Sequence, residues 1–328
     1  MNFHQEFIPG LSCMGVKSLR IIGANINERA TQISGAHPLL ARGLAILTVL
    51  LPVTFGYLEL CRPYQLHWGA TAAEIERPMP GDELNADPSF LATRAITIEG
   101  SPEEVWPWLL QMGYGRAGFY GYDLLENAGS PEGMRSADEI IPRFQNFVAG
   151  DVVPISAIVN MTFHTIESNS HLIWLGSDAP NPGTFTWAVY PFDDGRTRLV
   201  SRIRWSYHPT SIRAFALELF TEFADHIAVR KILQGVKQRV ERNIEPMWIQ
   251  NVEFFTLLGT LFIFLTALVL LCWRGLTWRT WGTGVAPAGI WLANRYAPVP
   301  TWLGMLLALS AIGALFVTHR AERAFAKP

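Results

Sequence analysis

Hydrophobic residues fall into two regimes along the chain. Some runs are apolar without any period, and between them polar and apolar positions alternate regularly. Phe254 to Trp273 is an uncharged run of 20 residues, long enough to cross a hydrocarbon core of about 30 Å as a helix. Residues 252–273 are therefore expected to form a transmembrane helix, as are residues 299–318 within the uncharged stretch Ala297–Thr318. Residues 43–60 predict a further span, with Pro52 tolerated inside it and Arg42 able to reach the interface. A cleaved signal peptide is the competing reading; the long leader and the lack of a small-x-small site after the apolar run oppose it. Residues 280–296 are uncharged as far as Asn294 and broken by Gly and Pro, which predicts a short or re-entrant membrane segment. Residues 1–42 read as a polar N-terminal tail and 319–328 as a basic one. Residues 61–90, with Pro63, Pro78, Pro80, Gly81 and Pro88, read as an irregular connector.

The regular patterns lie in residues 91–245. Ala92 to Gly100 alternates, setting Arg94, Ile96 and Ile98 opposite Thr93, Ala95, Thr97 and Glu99, and predicts a strand. Ser101-Pro102-Glu103-Glu104 is a helix start, for a helix carrying Val105, Trp106, Leu109 and Met112 inward and ending at Gly113. An aromatic loop, Arg116 to Asn127, follows, and Asp138 to Gly150 reads as irregular. Strands are expected at 151–155, 160–167, 171–176, 184–192 and 198–207, with Asp193-Asp194-Gly195 as the turn of a hairpin. Residues 211–243 show helical spacing. Phe215, Leu219, Phe220, Phe223, Ile227, Leu233, Val236 and Val240 share one broad face, with Glu218, Glu222, Asp225 and Arg239 largely away from it. The fold class is α+β: a curved antiparallel sheet gripping one long C-terminal helix, with a cavity between them.

Charge adds a partner argument. Hydrophobic residues make up 49% of the chain and charged ones 16%, against about 25% charged in an ordinary soluble chain. Residues 62–251 hold 16 Lys/Arg against 23 Asp/Glu, an acidic balance that argues against nucleic acid as a partner. Membrane lipid is the expected environment, and a hydrophobic small molecule the expected ligand. Cys13, Cys61 and Cys272 form neither a disulfide framework nor a metal-ligand spacing.

Candidate chemistry gathers in the aromatic loop. Arg116, Tyr120, Tyr122, Asp123 and Glu126 put five polar groups into eleven residues. They could sit at the cavity mouth, on a ligand's polar end or in acid–base work; alternatively Arg116 pairs with Asp123 or Glu126 while the Tyr rings pack. His164 lies mid-strand with no partner at a recognisable spacing, and His226 falls on the polar side of the long helix. Phe163, Trp174, Phe185 and Trp187 either line a pocket or fill a core. Arg202 and Arg204 alternate around Ile203. They form an anion clamp if they face the cavity, and are solvated or ion-paired if they face outward, the side favoured by Leu199, Ile203, Trp205 and Tyr207 as core candidates. No H-x-x-x-H, C-x-x-C, G-x-S-x-G or P-loop pattern occurs, so neither a metal nor a cofactor is expected.

Four separated segments carry a family resemblance: WPWLLQMGYGRAGFYGYDLLEN (106–127), IIPRFQNFVAGDVVP (140–154), TRLVSRIR (197–204) and RKILQGVK (230–237). Together they resemble bacterial START-like proteins of the polyketide-cyclase and lipid-transfer (SRPBCC, Bet v 1-like) superfamily, over roughly residues 90–245. The resemblance implies a helix-grip fold. It transfers no catalytic set, because the superfamily includes ligand carriers, cyclases and dehydratase-like enzymes. The leading expectation is a membrane-anchored, non-catalytic domain binding a lipid or other hydrophobic molecule. The alternatives are a cyclase or dehydratase using Tyr120, Tyr122, Asp123 or His164, and a sensor or protein-interaction module. The chain is expected in the bacterial inner membrane. With four spans, the Lys/Arg distribution over the short loops puts the domain outside the cytoplasm; three spans weaken that bias.

Overall fold

A computed structural model describes residues 54–126, 135–176, 182–207 and 210–274, with Leu47 and Leu51. The expected tails, the segments 280–296 and 299–318 and most of 43–60 lie outside the described residues. The chain divides into two compact units, one of which is Leu58–Leu258; that unit is described here by itself. Among the described residues no helix is long and apolar enough to cross a membrane. The helix Met247–Arg274 does carry the uncharged run that begins at Phe254, but the side chains of 260, 261 and 263 onward fall outside the described residues.

Six strands form one antiparallel sheet: β1 (Phe90–Ile98), β2 (Val152–Pro154), β3 (Asn160–Glu167), β4 (His171–Leu175), β5 (Thr184–Pro191) and β6 (Thr197–Trp205), in the order β1-β6-β5-β4-β3-β2. Every neighbouring pair is antiparallel. The first strand pairs with the last because the chain closes the meander from both ends. At the β5–β6 hairpin Gly195 takes φ 82°, a conformation glycine adopts without steric cost. The helices are α1 (Arg62–Leu66), α2 (Ala72–Glu76), α3 (Pro102–Leu110), α4 (Asp123–Glu126), α5 (Ile212–Val240) and α6 (Met247–Arg274). A full capping box starts α3: the Ser101 side chain takes the Glu104 N–H, and the Glu104 carboxylate takes the Ser101 N–H at 2.9 Å.

The sheet's two faces are sorted by cross-strand register. Its inner face carries the row Ala92–Ile203–Phe185–Trp174–Phe163 and, beside it, Arg94–Ser201–Trp187–Leu172–Ile166. Val229, Ile232, Leu233 and Val236 of α5 close over this aromatic wall in one hydrophobic core. Nearer its start, α5 reverses the expected amphipathicity. Glu222 and His226 are buried while Phe215 and Phe220 are exposed. Two arginines from outside the helix cause the reversal. Arg62 grips Glu222 with two bonds of 2.7 and 2.8 Å, and Arg94 from β1 pairs with Asp225 at 2.6 Å. Further along, Arg239 is buried as well and donates to the Ala137 carbonyl at 2.7 Å.

The outer face is covered by residues 70–90, which hold α2 and a 3-10 turn (Asp82–Asn85); with α1, which lies beside α5, they stand where an irregular connector was expected. Arginines of β6 fasten them down. Arg198 forks onto the Glu74 carboxylate at 2.7 and 2.8 Å. Arg202 donates to Asp82 at 2.7 Å and to the carbonyls of Glu74, Ile75 and Arg77 at 2.8 to 3.0 Å. Arg204 reaches the Asn85 carbonyl at 2.6 Å. Arg202 and Arg204 do face away from α5, yet Arg202 is buried under this cover and not solvated. Burial alone would raise the Glu74 pKa; the Arg198 and Thr71 hydrogen bonds outweigh it and bring the carboxyl down to about 2.

Candidate functional site

The aromatic loop folds back on itself through paired backbone bonds between Gly113 and Gly118, and the rest of it is packed onto α5. Gly235 permits the close approach, since a Cβ there would run into the Tyr120 backbone. Tyr120 sits at φ 66°, a region that costs a non-glycine residue about 1–3 kcal/mol. Its surroundings hold it there. The hydroxyl donates to the Trp108 carbonyl at 3.0 Å, its N–H donates to Ser136 Oγ at 2.9 Å, and the Arg239 guanidinium lies 4.4 Å over its ring.

The other loop candidates take separate partners. Arg116 pairs with neither Asp123 nor Glu126. Its guanidinium stacks 3.9 Å over Phe147 and donates to the Val152 carbonyl, because the Gly113–Gly118 turn aims it toward β2. Asp123 accepts from the Ser136 N–H and hydroxyl at 3.1 and 2.6 Å. The Tyr122 hydroxyl donates to Glu253 at 3.1 Å. His164 is exposed at a register shift in β3, with Nδ1 2.9 Å from Thr165 Oγ1. The structure thus brings Tyr120, Asp123 and Glu126 around Ser136 and α5, and leaves Arg116 and His164 elsewhere. An open depression of about 410 Å³ lined by Arg135, Ser136, Asp138 and Ile141 adjoins that cluster.

Glu126 is the unusual member. Its side chain is only half buried, but Oε1 is sealed from solvent against Gly121, and Oε2 accepts the Phe119 N–H at 3.2 Å. Burial, with the Asp123 carboxylate nearby, pushes this carboxyl up to about 8 against the pull of two N–H groups and Arg239. A carboxyl whose folded pKa exceeds its unfolded value holds its proton more tightly in the fold. The stability it contributes is present at low pH and is lost as pH rises from about 4.5 through about 8. Glu126→Gln is therefore expected to flatten the fall in stability between pH 5 and pH 8, as read by urea melts at both values. An unchanged slope would mean that this carboxyl does not govern it.

The second concentration of polar groups lies where sequence reasoning placed none, on the inner face between β1 and α5. Arg94 is 1% exposed. Its Nε donates to the Gln65 carbonyl at 2.8 Å and Nη1 to Asp225, while Nη2 is buried with no partner among the described residues. Burial raises the Asp225 pKa, and Arg94 opposes that rise. His226, one position on, meets the same Gln65 carbonyl through Nδ1 at 3.0 Å. Burial beside Arg94 and Arg230 lowers its pKa to about 2, so the imidazole stays neutral. Two strands along the same row stands Trp187, fully buried, its ring stacked on Phe185 at 4.7 Å and edge-on to Trp174 at 5.8 Å. The indole N–H groups of Trp174 and Trp187 are both buried without an acceptor among the described residues.

The inner face therefore presents N–H groups of Arg94, Trp174 and Trp187 that lack acceptors. A buried donor left unpaired costs about 1–3 kcal/mol. The sequence did signal Arg94, which shares the parity of Ile96 and Ile98 on β1. Nothing local signalled Asp225 or His226, whose inward position depends on partners more than a hundred residues away.

No family model matches the chain, and no curated protein matches it. Among solved structures it is similar to protein MLL2253 from Mesorhizobium loti, at 16% identity and TM-score 0.29, covering 47% of this chain and 98% of that one. It is similar to the Zhui aromatase/cyclase from Streptomyces sp. R1128, at 11% identity and TM-score 0.31, over 48% and 96% of the two chains. The Aha1 dimer from Colwellia psychrerythraea aligns at 12% identity and TM-score 0.26, over 48% and 99%.

Proposed function

We propose that the domain of residues 91–245 binds a largely apolar molecule bearing oxygen acceptors, between the inner sheet face and α5, without transforming it. The apolar runs flanking the domain anchor it in a membrane, so that its ligand comes from the lipid phase. The observation that carries the reading is the set of buried, unpaired donors on an aromatic wall. Arg94 Nη2 and two indole N–H groups are matched by a carbonyl, ester, quinone or carboxylate oxygen, and the rings around them by an apolar body. Lack of catalysis is supported by how the acid–base candidates are used, since those that gather around Ser136 are tied to the fold itself. Tyr120, Tyr122 and Asp123 each hydrogen-bond a different group of the fold, and His164 is exposed. The uncharged run on α6 supports the anchor.

The test is to purify the full chain in mild detergent, extract it with organic solvent and identify what it retained. An apolar compound with carbonyl, carboxyl or ether oxygen, present at a fixed ratio to protein, is the expected result. Recovery of nothing beyond bulk lipid and detergent would remove the basis for the reading.

A further inference from the structure

The start of α5 stands apart from the rest of the described unit. From Ile212 to Phe220 most side chains are exposed, among them Ile212 at 88%, Leu217 at 63%, Phe220 and Phe215. At 3.6 residues per turn these four spread over about 200° of the helix circumference, and Ala214, Ala216 and Leu219 lie among them. Arg213 and Glu218 are the charged residues of this stretch. An ordinary surface helix shows an apolar stripe roughly 100° wide, and one that is apolar nearly all round belongs inside a protein or a membrane. Lipid conforms to a wide apolar arc of this kind, and Arg213, which falls within it, can snorkel to the headgroup layer.

The position of these turns agrees. Arg62 meets Glu222 at 2.7 Å, and three residues later the Gln65 carbonyl meets His226 at 3.0 Å. The two helices therefore advance in the same direction. Leu58, exposed, lies four residues before Arg62 on the chain. Leu58 ends the apolar run that starts at Gly43. Arg62, four residues past the end of that run, is thus held to Glu222, two residues beyond Phe220.

We infer that Ile212 to Phe220 lies in the interfacial layer of a lipid bilayer, its apolar side chains among the upper acyl segments. The inference rests on the membrane anchoring proposed above. It adds that the long helix itself touches the bilayer, so that one element meets both lipid and the ligand-binding interior.

Site-directed spin labelling separates the two ideas. The full chain, with Cys13, Cys61 and Cys272 replaced by Ser, is placed in nanodiscs of phosphatidylethanolamine and phosphatidylglycerol. Labels go singly at Ile212→Cys, Phe215→Cys and Phe220→Cys, with Phe192→Cys near the β5–β6 hairpin as the aqueous reference and Phe262→Cys in the α6 run as the lipid reference. Collision with oxygen, which partitions into lipid, is compared with collision with a water-soluble nickel chelate. The expected oxygen-to-nickel ratio at 212, 215 and 220 is several-fold above that at 192. A ratio equal to that at 192, with 262 still reading lipid, overturns the inference and leaves the anchor standing. Low collision with both reagents at the three sites means protein cover and overturns it too. A water-like ratio at 262 overturns the anchoring and this inference together.

Discussion

Arg94→Met is expected to destabilise the fold by about 3–5 kcal/mol, the usual result of removing one partner of a buried ion pair. The substitution keeps most of the side chain's length and apolar stem, so the loss comes from the charge left behind. Asp225 stays inside with its pKa already raised by burial, and Arg94, the counter-charge that opposes that rise, is gone. It then holds a proton in the folded state, and the stability contribution of an acid with a raised folded pKa is lost as pH rises. The deficit is therefore smaller at pH 4 than at pH 8. Adding Asp225→Leu to Arg94→Met is expected to restore much of the loss, since a well-packed apolar pair replaces a buried ionic one at little cost. Chemical denaturation of the full chain in detergent, followed by tryptophan emission, reads all three. A single variant as stable as wild type would mean that the Arg94–Asp225 contact is not closed in solution.

Arg202→Leu is expected to cost about 3 kcal/mol, through a different route. Arg202 gives hydrogen bonds to the carbonyls of Glu74, Ile75 and Arg77 and to the Asp82 carboxylate, and its Nε donates to Thr93 Oγ1 at 2.9 Å. Leucine fills part of the volume and leaves those acceptors without their donor, each shortfall worth about 1–3 kcal/mol before water makes up part of it. The damage is local. Residues 74–86 come away from the sheet's outer face, and hydrogen exchange should speed up there first, with β3 and β4 protected as before. Arg202→Lys does not rescue it, because a single ammonium cannot reach five acceptors spread over a planar fork. Loss of protection spread evenly over the sheet would contradict this account of the outer face.

The parts of the fold that were legible in the sequence are those set by near neighbours. Alternation marked β1, short apolar runs between turn residues marked the other strands to within a few residues, Ser101 and Glu104 announced the cap of α3, and Asp193-Asp194-Gly195 announced the hairpin. What was not legible depends on charges paired across long separations. Glu222 and Asp225 read as solvent-facing because the helical pattern put phenylalanines opposite them; Arg62 and Arg94 turn them inward, and Phe215 and Phe220 outward. Pro63, Pro78, Pro80 and Pro88 made residues 62–90 look irregular, whereas Glu74 and Asp82 match the spacing of Arg198 and Arg202 on a strand far downstream. In the aromatic loop, composition singled out five polar residues, of which Tyr120, Asp123 and Glu126 lie around Ser136 and α5. It assigned Arg116 to the wrong partners, since a glycine turn can send adjacent side chains in opposite directions. Arg94 itself was readable: a charged residue sharing the parity of Ile96 and Ile98 is either a misfit or a designed interior cation.

Native mass spectrometry of the full chain released from detergent, wild type beside Trp187→Phe, addresses the ligand most directly. Phenylalanine keeps an aromatic ring against Phe185 and Trp174 and deletes the indole N–H that has no partner among the described residues. The account predicts a small-molecule adduct on the wild-type protein and a markedly lower occupancy on Trp187→Phe, with the fold intact by circular dichroism. A wild-type protein that carries no adduct, or an adduct held equally well by Trp187→Phe and Trp174→Phe, would contradict it.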